Sequence, residues 1–81
     1  MLPPPSPDQA YLDQQRRATG DRIRRARRLQ GLRQEGLAER AGLDRKTVSR
    51  LENGRALASH DQLARVAYAL ELPLWRLFWD E

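Results

Sequence analysis

Apolar residues recur at intervals of three or four along most of this 81-residue chain, which is the spacing of helices that bury one face. No stretch alternates apolar and polar residues as a half-buried strand would, so the pattern predicts an all-α fold. Glycines, prolines and capping residues divide the pattern into five predicted helices. These helices cover about residues 6–30, 34–41, 45–53, 60–71 and 73–78.

The first predicted helix is long and follows a proline-rich start. Residues 1–5 are predicted to form a disordered tail, which leaves residues 6–81 as one domain. Ser6 and Pro7 suit the cap and the first position of a helix. We expect the helix to be continuous or kinked at Gly20. The alternative is an interruption there, because glycine costs about 1 kcal/mol inside a helix and Asp21 could start a new helix. The apolar positions that mark this helix are Tyr11, Leu12, Ile23, Ala26 and Leu29.

The second and third predicted helices are short and separated by a tight turn, in the segment QEGLAERAGLDRKTVSRLENG at 34–54. Gly42 can adopt a positive φ and so end the first of the two. Asp44 is expected to cap the next one by accepting its free N–H groups. Two short helices joined in this way are typical of a helix-turn-helix, which places its second helix in the major groove of DNA. A generic helical hairpin is the alternative that this pattern alone leaves open.

Positive charge is concentrated on this part of the chain. Residues 16–55 hold thirteen of the fifteen basic residues and five of the eleven acidic ones, a net charge of +8, whereas the whole chain carries +4. A basic segment of this kind attracts phosphate backbones. Because fourteen of the fifteen bases are arginine, a solvated arginine face in an arginine-rich proteome is the alternative.

The composition argues against several other classes of function. The chain has no cysteine and one histidine, so neither a thiol nucleophile nor a cysteine or histidine metal cluster is expected. No apolar run approaches the roughly 18 residues of a membrane span, and the start MLPPPSP lacks the features of a signal peptide. We therefore expect a cytoplasmic, nucleoid-associated protein that is not an enzyme and has no cofactor, metal or small-molecule ligand.

The chain resembles the phage-repressor-like family of DNA-binding proteins, the Cro/repressor or xenobiotic-response-element group. The resemblance runs from about Gly20 to Phe78 and implies a five-helix repressor-like domain, here with its first helix extended at the N-terminus. It rests on IRRARRLQGLRQ at 23–34, GLAERAGLDRKTVSRLENGR at 36–55 and LARVAYALELPLWRLF at 63–78.

The resemblance also implies which residues contact DNA. Base edges would be reached from the third helix, and arginine and lysine there suit guanine, so we expect half-sites that contain G·C pairs. The alternative is that one or two of these residues contact only phosphates. The expected base contacts are Arg45, Lys46, Ser49 and Arg50, and the expected phosphate contacts are Gln34, Asn53 and Arg55, with Thr47 and Arg33 as additional candidates.

An ion pair between the first and third helices is implied in the same way. Arg27 and Glu52 match the two members of a partly buried pair in the family, although two solvated charges are the alternative.

Three positions depart from the family pattern. Arg33 stands where a capping Ser or Thr is usual, Gly36 lies inside the second helix, and Glu71 stands where Gly is common.

The C-terminal segment is rich in aromatic residues. Leu77 and Phe78 are expected in the core, but a domain of this size cannot easily bury two tryptophans. Because family members commonly dimerise through this end, we expect Leu74, Trp75 and Trp79 to form a dimer interface. The alternative is that the tryptophans cover the edge of the core or the long first helix.

Together these features predict a sequence-specific regulator of transcription that binds double-stranded DNA, as a dimeric repressor on an inverted repeat. An antitoxin or adaptor that binds a protein partner, with autoregulatory DNA binding, is the second hypothesis. No serine–histidine–aspartate set, metal cluster or phosphate loop in the sequence favours an enzyme.

Overall fold

Four α-helices and one 3₁₀ turn make up the computed structural model of this protein, which describes residues 8–55 and 58–79. No strand occurs within those ranges, so the all-α prediction is confirmed. None of the helices there is both long and apolar enough to cross a membrane. The elements are α1 (Gln9–Leu29), α2 (Gln34–Ala41), α3 (Arg45–Glu52), α4 (His60–Ala69) and the 3₁₀ turn (Leu74–Leu77).

The predicted fifth α-helix is therefore corrected to a single 3₁₀ turn. Its backbone bonds join residues three apart, from Arg76 N–H to the Pro73 carbonyl (3.0 Å) and from Phe78 N–H to the Trp75 carbonyl (2.9 Å). Pro73 caps the turn rather than occupying its first helical position. The 3₁₀ geometry is common for segments of three or four residues, where an α-helical nucleus is costly.

The first helix runs through Gly20 without a break. It begins after Asp8, whose side chain accepts a hydrogen bond from the Ala10 N–H (3.2 Å). The predicted cap and first position, Ser6 and Pro7, and the predicted 1–5 tail lie outside the described residues. The helix gives way to a turn in which Gly31 has a φ of 69°.

Gly20 is required by the close approach of α1 to the end of α3. A Cβ atom at this position would lie 2.4 Å from the Leu51 carbonyl oxygen and 2.7 Å from that of Glu52. Both atoms belong to the backbone and cannot move aside. The glycine that weakens α1 as an isolated helix therefore lets it pack against the backbone of α3.

The turn between α2 and α3 follows the predicted pattern, but the caps of these helices do not. Gly42 ends α2 in the left-handed region at a φ of 68°. Asp44 occupies the cap position of α3, yet its carboxylate accepts no capping hydrogen bond, which corrects that prediction. Arg33 leaves α2 without a side-chain cap as well. On α4, by contrast, Ser59 and Gln62 form both bonds of a capping box.

The core lies where all the elements meet. α2 packs against α3 and α4, α1 packs against α3, and the 3₁₀ turn covers α4 and α1. Phe78, which was expected in the core, is 48% exposed, and two apolar residues of α1, Leu29 at 88% and Tyr11 at 56%, are exposed as well. They lie at the ends of their elements, beyond the neighbouring helices. The buried apolar residues are Ile23, Leu37, Ala38, Ala41, Val48, Leu51, Val66, Ala67, Ala69, Leu70 and Leu77.

The turn after α4 contains Glu71 in the left-handed region, at a φ of 59°. The chain closes there through a bond from the Leu72 N–H to the Ala67 carbonyl (2.9 Å). A glycine would adopt this conformation without strain, whereas a residue with a Cβ costs about 1–2 kcal/mol. The departure from glycine at this position therefore leaves the turn in place at some cost in stability.

Candidate nucleic-acid interface

The outer face of α3 holds the four residues predicted to contact bases. Arg45, Lys46 and Arg50 are exposed and Ser49 is half-buried. Residues three and four apart are neighbours on a helix surface, so these four side chains share one face. The opposite face is formed by Val48, which is fully buried. α3 thus presents three cations and a hydroxyl outward from a helix that is fixed to the core.

A buried ion pair connects α1 to the end of α3. Arg27 Nε lies 2.6 Å from Glu52 Oε2, and Arg27 Nη2 lies 2.9 Å from Glu52 Oε1. Glu52 is 1% exposed and Arg27 is 8% exposed. The hydrogen bonds to Glu52 hold the pKa of Arg27 above its ordinary value, against the opposing effect of burial. The pair is bidentate, the geometry in which arginine and carboxylate bind most strongly.

Arg27 and Gln34 extend this contact to α2. The remaining Arg27 nitrogen, Nη1, donates to the Leu32 carbonyl (2.8 Å), in the turn that precedes α2. Gln34 donates from Nε2 to Glu52 Oε1 (3.1 Å), and its Oε1 accepts a long bond from Arg45 (3.5 Å). Glu52 is therefore the common partner of side chains from α1 and α2.

Arg24 is a member of this network that the sequence analysis missed. Its Nη2 donates to the Glu52 carbonyl and to Asn53 Oδ1, both at 2.9 Å, and its Nε lies 3.6 Å from Glu52 Oε1. The available signal was its spacing: Arg24 precedes Arg27 by three residues and so shares its helix face.

The residues predicted to contact phosphates lie at or near the ends of α2 and α3. Arg33 and Gln34 stand at the start of α2, where no side chain caps the helix. Uncapped N–H groups and the helix dipole favour an anion at such an end. Thr47 lies half-buried in the first turn of α3, and Asn53 and Arg55 lie exposed just beyond its last residue.

The C-terminal aromatic residues are exposed but do not share a helical face. Trp75 is 47% exposed and Trp79 is 64% exposed. Trp79 follows the 3₁₀ turn, so the two tryptophans do not lie one helical turn apart on a single helix. The Arg76 guanidinium lies 5.6 Å from the centroid of the Trp75 ring, within cation–π range. Leu74 is half-buried and packs against the core.

Among protein families, the helix-turn-helix family model HTH_3 matches residues 23–74 of this chain. No curated protein matches the chain. Within residues 8–55 and 58–79, no group of three or more histidine, cysteine or acidic residues is arranged to hold a metal ion.

Several solved structures resemble this one closely. The restriction-modification controller protein C.AhdI from Aeromonas hydrophila is 36% identical with a TM-score of 0.76, over 78% of this chain and 96% of that one. The hypothetical transcription factor NHTF from Neisseria is 31% identical with a TM-score of 0.78, over 98% and 87%. The clp gene regulator ClgR from Corynebacterium glutamicum is 32% identical with a TM-score of 0.73, over 76% and 66%.

Proposed function

Because this chain belongs to the helix-turn-helix family and is a DNA-binding transcription regulator, we propose that it reads its operator with the outer face of α3, as a dimeric repressor. The observation that supports this most is that α3 has an exposed basic face and an opposite face that is held to the core. Arg45, Lys46 and Arg50 project outward, while Glu52 is held from the other side by Arg27. A rigid helix with outward donors is suited to the major groove, whose guanine edges offer paired acceptors.

The proposed phosphate contacts position this helix without reading sequence. Gln34 stands at the uncapped start of α2, and Asn53 and Arg55 follow the end of α3. Contacts to the phosphates on both sides of a groove fix the depth and register of the helix within it.

The proposal of a dimer rests on the short stretch of DNA that a single α3 helix can contact. One α3 reads only a few base pairs, and tight specific binding in this motif comes from two half-sites about 34–36 Å apart. The molecule measures 46 × 27 × 19 Å, so two copies side by side can place their α3 helices at such a distance. We assign the contact between copies to Leu74, Trp75 and Trp79, whose tryptophans are exposed.

We propose that the protein represses transcription by occupying a promoter on the nucleoid DNA of the cytoplasm. The neighbouring structures include a controller of restriction-modification and a regulator of clp genes, and gene regulation is the property that we carry over from them. We propose no catalytic activity and no cofactor.

The decisive experiment is selection of bound duplexes from a random pool, repeated with two variants. Arg50→Ala should lose base preference at one or two positions and cost about 1–3 kcal/mol on the best site. Arg55→Ala should weaken binding to all sequences alike, because a phosphate contact carries no sequence information. An unchanged sequence preference in Arg50→Ala would overturn its role, and a wild-type protein that selects no sequence would overturn the proposed function.

A further inference from the structure

A polar cleft separates the N-terminal half of α1 from the residues that follow α3. It encloses about 420 Å³, and its lining includes Arg16 and Arg17 from one side and Gly54 and Arg55 from the other. Asp13 is the one acidic residue among those that line it. The cleft therefore carries an excess of positive charge directly beyond the end of α3.

Two of the three arginines in the cleft have no acidic partner within the described ranges. Arg16 donates to Asp13 Oδ1 at 3.3 Å and is neutralised in this way. Arg17 and Arg55 are exposed, and neither forms an ion pair with another residue in the described part of the chain. Two guanidinium groups that line one cleft give it a positive potential, which attracts an anion.

The stem of Arg17 is held in place by Gly54. A Cβ atom at Gly54 would lie 2.8 Å from Arg17 Cγ and 3.1 Å from its Cα, so α1 and the turn after α3 are in tight contact. Gly54 also has a φ of 69°. Because its stem is packed, Arg17 loses less conformational freedom on binding than an ordinary surface arginine does.

We propose that Arg17 and Arg55 together bind one phosphodiester of the operator backbone, so that α1 contacts DNA in addition to α2 and α3. This inference rests on the proposed function. The guanidinium groups match phosphate in charge and in bidentate geometry. α3 ends at Glu52, and the cleft directly beyond it is lined by Arg55, one of the proposed phosphate contacts. In this motif the N-terminal residues of the second helix contact base edges, so the cleft at its opposite end is suited to a backbone contact.

The test replaces Arg17 with glutamine, which keeps the Cγ that packs against Gly54 and removes the charge. Arg17→Gln should weaken binding to every duplex by about tenfold, and it should reduce the slope of log K against log salt by about 0.9 per bound protomer. The selected sequence should not change. Arg40→Gln is the matched control, because it also removes one exposed arginine but lies beside Tyr68 and Glu71, outside the cleft.

A second measurement locates the phosphate itself. Methylphosphonate substitution at each backbone position should weaken wild-type binding at one position per half-site where Arg17→Gln is insensitive. Wild-type affinity and salt slope in Arg17→Gln, or equal sensitivity to every methylphosphonate, would overturn the assignment. So would a changed sequence preference, which would make Arg17 a base contact. Each of these results leaves the proposed function standing, since that function depends on selection by the wild-type protein.

Discussion

Glu52 is the residue on which the arrangement of the reading helix depends most. Arg27, Gln34 and Arg24 all donate to it, through its carboxylate or its carbonyl. Because hydrogen bonding raises the pKa of Arg27, the stability from its charge is fully present below the unfolded-state pKa of arginine. It is lost only as the pH rises through the still higher folded-state value. Alkaline solutions short of that range should leave the pair charged at Arg27.

Glu52→Ala should be strongly destabilising. It leaves Arg27 buried without its partner, and removing one member of a buried pair costs about 3–5 kcal/mol. Urea denaturation followed by tryptophan fluorescence measures the change. Glu52→Gln keeps the shape of the side chain and should lose less, which allows a measurement if the alanine variant does not fold.

The control for this prediction is Glu39→Ala, an exposed glutamate of α2. Its free energy of unfolding should stay within about 0.5 kcal/mol of the wild-type value. A loss of similar size in both variants would mean that the ion pair contributes nothing particular to stability.

The sequence predicted the partners of this site only where a family pattern supplied them. Arg27 and Glu52 were expected as a pair because of the resemblance, and the structure places them in contact. Arg24 and the side-chain bond of Gln34 were not predicted, since they depend on how α1 and α2 cross α3. Asp44 was a reasonable cap by residue type, yet residue type does not determine the rotamer that the bond requires.

At the scale of elements, the close approach of α1 and α3 depends on the absence of a side chain at Gly20. Gly20 allows the backbone of α3 to approach α1 closely, and Gly54 does the same for Arg17. These two contacts lie on either side of the last residue of α3. They fix the angle at which the reading helix leaves the core.

Gly20→Ala and Gly36→Ala should change stability in opposite directions. Both replace a glycine inside a helix, which by propensity alone gains about 1 kcal/mol. At Gly20 the new Cβ would overlap the Leu51 carbonyl, whereas at Gly36 it would meet only Leu32 Cδ2 at 3.4 Å. Thermal unfolding should therefore show a lower Tm for Gly20→Ala and a higher one for Gly36→Ala. A rise in both would contradict the close crossing.

Most of the elements could be predicted from the sequence, and the errors have a common physical cause. α2 was predicted with its observed ends, and Gly42 was predicted to end it with a positive φ, because both features are encoded locally. The exposure of Phe78, which was expected in the core, was not predicted. Helical periodicity shows which face is apolar but not where the neighbouring helix stops covering it.

In the molecule as a whole, the exposed basic face of α3 and the exposed tryptophans belong to different elements. α3 packs against α1 and α2, while the 3₁₀ turn that carries Trp75 packs against α1 and α4. Two copies can therefore associate through the aromatic segment while each keeps α3 open to DNA. The same exposed surface would serve the alternative role of binding a different protein.

Replacing Trp75 and Trp79 together with alanine should give a folded monomer that binds a single half-site weakly. Both side chains are exposed, so their loss should affect association more than folding. Sedimentation equilibrium measures the change, and Tyr68→Ala, an aromatic that is 84% exposed on α4, is the control. A double variant that stays dimeric, or a wild-type protein that is monomeric at high micromolar concentration, would mean that the interface lies elsewhere, as on α1, or forms only on DNA.

The division of α3 into two faces has an evolutionary consequence. Arg45, Lys46 and Arg50 are exposed, while Val48 and Glu52 hold the helix to the core. Substitutions on the outer face can therefore accumulate without endangering folding, since exposed positions usually tolerate change at small cost. Duplicated copies of such a gene could diverge toward new operators on one unchanged scaffold, with the preferred DNA sequence rewritten at a few surface positions.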